Sequence, residues 1–217
     1  GGKSANIITA RCDLDRALDA ALVGIFNSGG GNAKIDNSGT ISAEGSNAGG
    51  LRVAAAYANA AVGYTISNSG TIAANATGPN ATGSGTAFAL EINNYAFTGT
   101  LTNALSGTVN NAAGGKITAQ GDTAVGIAVS DSALNLINAG TISALGKTTA
   151  YAVWGDGLDD RVTNTGTITG DIVLGGGADA VDNAGTINGA VSLGDGDDSF
   201  RQSGGGRVNG TIDGGAG

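Results

Sequence analysis

The chain has 217 residues, with 18 Asp and Glu against 10 Lys and Arg, no His, and a formal net charge of −8. Without a basic stripe, that balance excludes phosphate-neutralising nucleic-acid binding and simple docking on anionic lipid. Aromatic residues at 4% and 41 glycines exclude a thick globular core and favour thin layers of Ile, Val, Leu and Ala joined by glycine turns.

Taken in chain order, IITA at Ile7 to Ala10 reads as the tail of a repeat. The following DLDRALDAALVGI, residues 13–25, places Leu14, Leu18, Ala21, Leu22 and Ile25 at helical spacing behind Asp13 as a candidate cap. It predicts a short helix inserted in, or capping, the remainder. Cys12 is the single cysteine, so no internal disulfide can form, and it reads as a buried or incidental thiol. There is no Met, no secretion signal and no apolar run of about 18 residues, which predicts a processed piece of a longer protein with no transmembrane helix.

From Ile35 onward one phrase recurs, apolar–x–Asn–x–Gly–x–apolar–x–Ala/Gly. It reads IDNSGTISA from Ile35, ISNSGTIAA from Ile66, LINAGTISA from Leu136, VTNTGTITG from Val162 and VDNAGTING from Val181. Looser copies are VNNAAGGKITA from Val109 and FRQSGGGRVNG from Phe200, where Gln202 replaces Asn. The apolar position after each glycine is Ile41, Ile72, Ile117, Ile142, Ile168, Ile187 and Val208, at intervals of 31, 45, 25, 26, 19 and 21 residues. A constant phrase at irregular intervals describes a fixed coil with variable loops.

Between successive phrases comes a second strand-forming segment: LRV at Leu51, AFALEI at Ala87, AVGIAV at Ala124, AYAVW at Ala150, DIVL at Asp171 and AVSL at Ala190. Each coil therefore holds two or three short strands, and stacked coils pair them in parallel at 4.7–4.9 Å, giving a rod of about 35 Å for seven coils. The prediction is a single all-β domain over residues 1–217, a parallel β-helix of seven to eight coils. Alternation turns the Ile column inward and Thr40, Thr71, Thr141, Thr167 and Thr186 outward, with Lys116 and Arg207 interrupting the Thr column. Asn37, Asn68, Asn111, Asn138, Asn164 and Asn183 fall at one corner, where stacked amides can satisfy one another. The 45-residue interval is accounted for by NATGPNATGSGT, residues 75–86, a polar excursion and candidate recognition loop. Asn75, Asn80 and Asn209 sit in Asn–x–Thr sequons, which matter only in a glycosylating host.

The NSGTI and NAGTI copies leading into DIVLGGGADAVDNAGTINGAVSLGDGDDSF and GTIDGGAG resemble the passenger domains of bacterial autotransporters. The resemblance covers nearly the whole chain from about Asn27 and is strongest from Val162. It implies a right-handed parallel β-helix carried through the outer membrane by a C-terminal barrel, and a role as adhesin or stalk at the cell surface.

Chemistry-bearing residues are sparse. The absence of His removes the commonest general base. Acids crowd into glycine-rich turns, Asp156, Asp159 and Asp160, then Asp179, then Asp195, Asp197 and Asp198, with Trp154 as the nearby aromatic platform. Paired carboxylates could support polysaccharide cleavage. GDGDDSF from Gly194 matches the heart of the calcium-binding nonapeptide, as does the segment from Gly175, and the Gly155 turn matches with one insertion. These turns recur once per coil, half the ligand supply of a true array. The Thr column resembles ice-binding solenoids more weakly. The favoured reading is therefore a structural or adhesive rod without enzyme activity, with no catalytic, cofactor or metal residue assigned. Its turn acids should be solvated, its partners cell-surface glycans or proteins, and its open coil ends suited to end-to-end self-association.

Overall fold

The computed structural model describes residues 23–27, 32–56, 63–76, 85–95 and 105–217. The readings of IITA, Cys12, Asp13 to Leu22, Asn80 and the centre of the 75–86 loop fall outside them. The described residues form twenty strands and no helix. Val23–Asn27 is a strand paired in parallel with Leu51 to Ala55, so the helix expected over residues 13–25 is corrected at its C-terminal end. Backbone pairing to a neighbouring coil overrides a helical spacing carried by only a few apolar residues.

Every strand pair is parallel, and the strands fall into a seven-stranded sheet and a thirteen-stranded sheet. Following the chain, each coil contributes one strand to the first sheet and two strand segments to the second. Among the described residues, seven such coils stack, preceded by the strand Val23–Asn27. Lys116–Ser130 and Thr141–Trp154 run unbroken over both segments, which merges two faces of the prism into one sheet. This is a parallel β-helix, with three strand segments per coil where sequence allowed two or three.

The register confirms the apolar column step by step: Ile41 pairs with Ile72, Ile72 with Ile117, Ile117 with Ile142, Ile142 with Ile168, Ile168 with Ile187, and Ile187 with Val208. The five members from Ile72 to Ile187 have no exposed surface, while Ile41 and Val208 near the ends are partly buried. Two more columns complete the core. One runs Ile35, Ile66, Val109, Leu136, Val162, Val181, Phe200, and the other Leu51, Leu90, Ile127, Val153, Ile172, Val191, Ile212. Each layer is thin, so stability is nearly a sum over adjacent coils.

Two glycines show how closely the coils approach. Gly194 has φ of +108°, and a Cβ there would run into the Gly175 carbonyl one coil away. Gly107 lies under the Tyr64 ring, and a Cβ at Gly107 would sit 2.5 Å from the ring Cγ. Gly107→Ala is expected to lower stability by about 2–3 kcal/mol through overpacking. Chemical denaturation checks it, and a loss below about 0.5 kcal/mol would show that the ring moves aside freely.

Candidate functional site

The Asn corner is a continuous amide ladder. Asn37 Nδ2 donates to Asn68 Oδ1, Asn68 to Asn111, Asn111 to Asn138, Asn138 to Asn164, and Asn164 to Asn183, at 2.8–2.9 Å. Each amide also serves its turn: Asn164 Oδ1 accepts the Gly166 N–H at 3.2 Å, Asn183 Oδ1 accepts the Gly185 N–H at 3.2 Å, and Asn138 Nδ2 donates to the Gly140 carbonyl at 3.4 Å. The ladder residues from Asn68 onward are at most 1% exposed. Their donors and acceptors are spent on one another, which makes the corner architectural rather than a ligand site.

The opposite polar corner is acidic. Asp160 Oδ1 accepts the Leu134 N–H at 2.8 Å, Asp179 Oδ1 accepts the Asp160 N–H at 2.7 Å, and Asp198 Oδ1 accepts the Asp179 N–H at 2.8 Å. The three acids are 19 residues apart, one coil each, and stack as a column. The expectation that the turn acids are solvated fails here, since Asp160 and Asp179 are each 1% exposed. Burial pushes Asp160 up to about 7 and Asp179 up to about 6, partly opposed by the backbone N–H each accepts, while neighbouring carboxylates raise them further. Asp156 ties its loop down, accepting the Gly157 and Leu158 N–H groups at Oδ1 and the Ser132 N–H at Oδ2. Asp159 is exposed and accepts the Ala178 N–H at 2.7 Å. Asp195 and Asp197 are exposed, as expected. Among the described residues, no three His, Cys, Asp or Glu are grouped to hold a metal ion.

Tyr64, which sequence reasoning passed over, belongs to the same region. Its ring is 2% exposed, its hydroxyl lies 3.5 Å from Ser132 Oγ, and burial raises it above the ordinary tyrosine range, with Asp160 and Asp156 adding to the rise. Its parity could have signalled an inward ring, since Tyr64 stands two residues before Ile66 as Ala33 stands before Ile35 and Leu134 before Leu136.

Two outer surfaces are open to partners. On the seven-stranded sheet, a shallow depression of ≈ 600 Å³ crosses three coils, lined among others by Thr108, Asn135, Ile137, Asp159 and Arg161. Ile137 is 41% exposed, and Arg161 is ion-paired to Asp182, which also binds Arg201 Nε at 2.7 Å. On the other sheet, Phe88 and Tyr151 are partly exposed on either side of Val125, which is in register with both and has no exposed surface, and the Tyr151 ring packs against Trp154 with centroids 5.6 Å apart. Trp154 is 44% exposed, and Arg52 pairs with Glu91 at 3.5 Å on the same sheet. The outward Thr column is in register as expected, with Lys116 and Arg207 interrupting it.

Parallel coils with inward apolar columns and an amide ladder define a pectate lyase-like β-helix. Residues 4–191 match the family model described as the BigA third pectate lyase-like domain, and the chain belongs to that family. No curated protein and no solved structure gives a match.

Proposed function

We propose that this β-helix is a surface-displayed module of an autotransporter-type protein, acting as stalk and adhesive surface without enzyme activity. One observation carries the reading: polar side chains are spread over flat sheet faces, and the buried carboxylates of the turns are bonded to backbone N–H groups of adjacent coils. A hydrolase or lyase needs acids or bases converging on one substrate bond. In the depression, the described ionisable side chains are Asp159, whose Oδ1 holds the Ala178 N–H, and Arg161, held by Asp182. In this reading the family's name describes a fold, and the fold is used to present surface.

The contact surface proposed is the aromatic strip at Tyr151 and Trp154, aided by the depression at Ile137 and Arg161, with cell-surface glycans or proteins as partners. Trp154→Ala is expected to weaken binding to cells or a glycan array about tenfold while leaving the melting temperature nearly unchanged, since exposed aromatics dominate contact energies. Equal binding by the variant would remove the strip from the surface. Incubation with polygalacturonate and other polysaccharides tests the non-enzymatic part. Release of reducing or unsaturated sugar that is lost in Asp159→Asn would overturn it.

A further inference from the structure

The acidic corner holds three oxygen atoms that the architecture does not use. Asp160 Oδ2, Asp179 Oδ2 and Asp198 Oδ2 are buried and have no hydrogen-bond partner, although Oδ1 of each is bonded to a backbone N–H. Among the described residues, the ionisable groups facing the column are Asp156, Asp159 and Tyr64, none of them a cation. Arg161 and Arg201 are engaged by Asp182. Two carboxylates at 1% exposure, stacked one coil apart without a counter-charge, cannot both carry full negative charge at low cost.

We propose that the Asp160–Asp179–Asp198 column is a proton-binding site, and that proton uptake under mildly acidic conditions tightens the coils from Ser132 to Asp198. A carboxyl group that keeps its Oδ1 acceptor and carries a proton on Oδ2 retains the bond to the preceding coil and sheds the buried charge. The ionisation agrees with this geometry, since both buried acids are raised from 3.8, Asp160 to about 7 and Asp179 to about 6. Because the folded values lie above the unfolded one, this contribution to stability is fully present below 3.8 and is lost as pH rises through 6 and 7. Asp36 and Asp182 act oppositely but outside this window. Lys34 and Arg201 respectively hold them below 3.8, so their contributions are lost only in stronger acid.

The test is equilibrium unfolding of the wild-type chain and of Asp160→Asn/Asp179→Asn between about pH 5 and pH 8. For the wild type, the unfolding equilibrium constant should rise about tenfold per pH unit while one proton is being lost. In the amide variant, which mimics the protonated carboxyl, it should stay flat, so that the gap between variant and wild type, already open at about pH 5, widens up to about pH 7 and then holds. Should the variant not fold, carboxyl-carbon NMR of the wild type decides the matter directly: midpoints for Asp160 and Asp179 above about 5.5 support the proposal, and midpoints near the ordinary value of about 4 overturn it. A parallel series at about pH 8 with calcium or with chelator covers the competing occupant. Stabilisation by calcium that disappears in Asp160→Asn would overturn the proton site in favour of a cation site.

Discussion

Replacing Ile142 with aspartate is expected to abolish the folded state of the central coils. Ile142 has no exposed surface and lies between Ile117 and Ile168 in the inward column, so a carboxylate there faces apolar side chains above and below. A buried, unpaired charge costs more than about 4–5 kcal/mol, comparable with the whole stability of an ordinary domain. In a stack whose coils contact mainly their neighbours, the damage also uncouples the coils on either side. Circular dichroism should show lost strand signal, or two separate melting transitions where the parent has one. Ile142→Val removes one methylene and should cost only about 0.5–1.5 kcal/mol, and Ile142→Ala about 2–5 kcal/mol. A folded Ile142→Asp protein with an unchanged melting curve would mean that this column does not form the core.

The sequence phrase encodes this column because a stacked coil presents the same chemical problem at each level. The glycine turn, the inward Ile and the corner Asn recur because each is set by the coil beneath it. Register could therefore be read from the text alone, from Ile41 to Val208. The same logic was available for the acids and was missed: Asp160, Asp179 and Asp198 are one 19-residue coil apart, which places them in a column as surely as the asparagines. Their charge argued for solvent, but a turn that stacks on another turn needs acceptors for its N–H groups, and aspartate supplies them.

Other features lie beyond a single-sequence reading. Where one sheet bends, Ala89 with Leu90 and Ala152 with Val153 turn inward consecutively, breaking the period-2 pattern. That break is a property of the corner, where small residues are required: a Cβ on Gly126 would lie 2.6 Å from the Ala152 carbonyl oxygen. Likewise, residues 13–25 carry a helical spacing that competes with strand pairing. At Val23–Asn27 the exposed edge of the next coil decides the competition.

The sharpest test of the amide ladder is Asn138→Asp. The wild-type side chain accepts from Asn111 Nδ2 and donates to Asn164 Oδ1, both at 2.8 Å, with no exposed surface. Aspartate keeps the first bond but turns an oxygen toward Asn164 Oδ1, so two acceptors meet in a buried site that also gains a charge. The expected loss at neutral pH is about 3–5 kcal/mol, against about 2–3 kcal/mol for Asn138→Ala, which leaves Asn164 Oδ1 short of one donor but adds no charge. Asn37→Ala should cost only about 1 kcal/mol, because Asn37 is 9% exposed and, among the described residues, begins the ladder with one ladder neighbour. Acid distinguishes the variants further. Once protonated, the carboxyl introduced by Asn138→Asp can donate to Asn164 Oδ1, so its folded pKa is raised above the unfolded value. The stability deficit of that variant should therefore shrink as pH falls toward about 5, whereas Asn138→Ala gains nothing from that source. Urea denaturation of the three variants at about pH 7 and pH 5 reads all of these differences. If Asn138→Asp and Asn138→Ala cost no more than Asn37→Ala, and Asn138→Asp shows no recovery in acid, the ladder is not what holds this corner together.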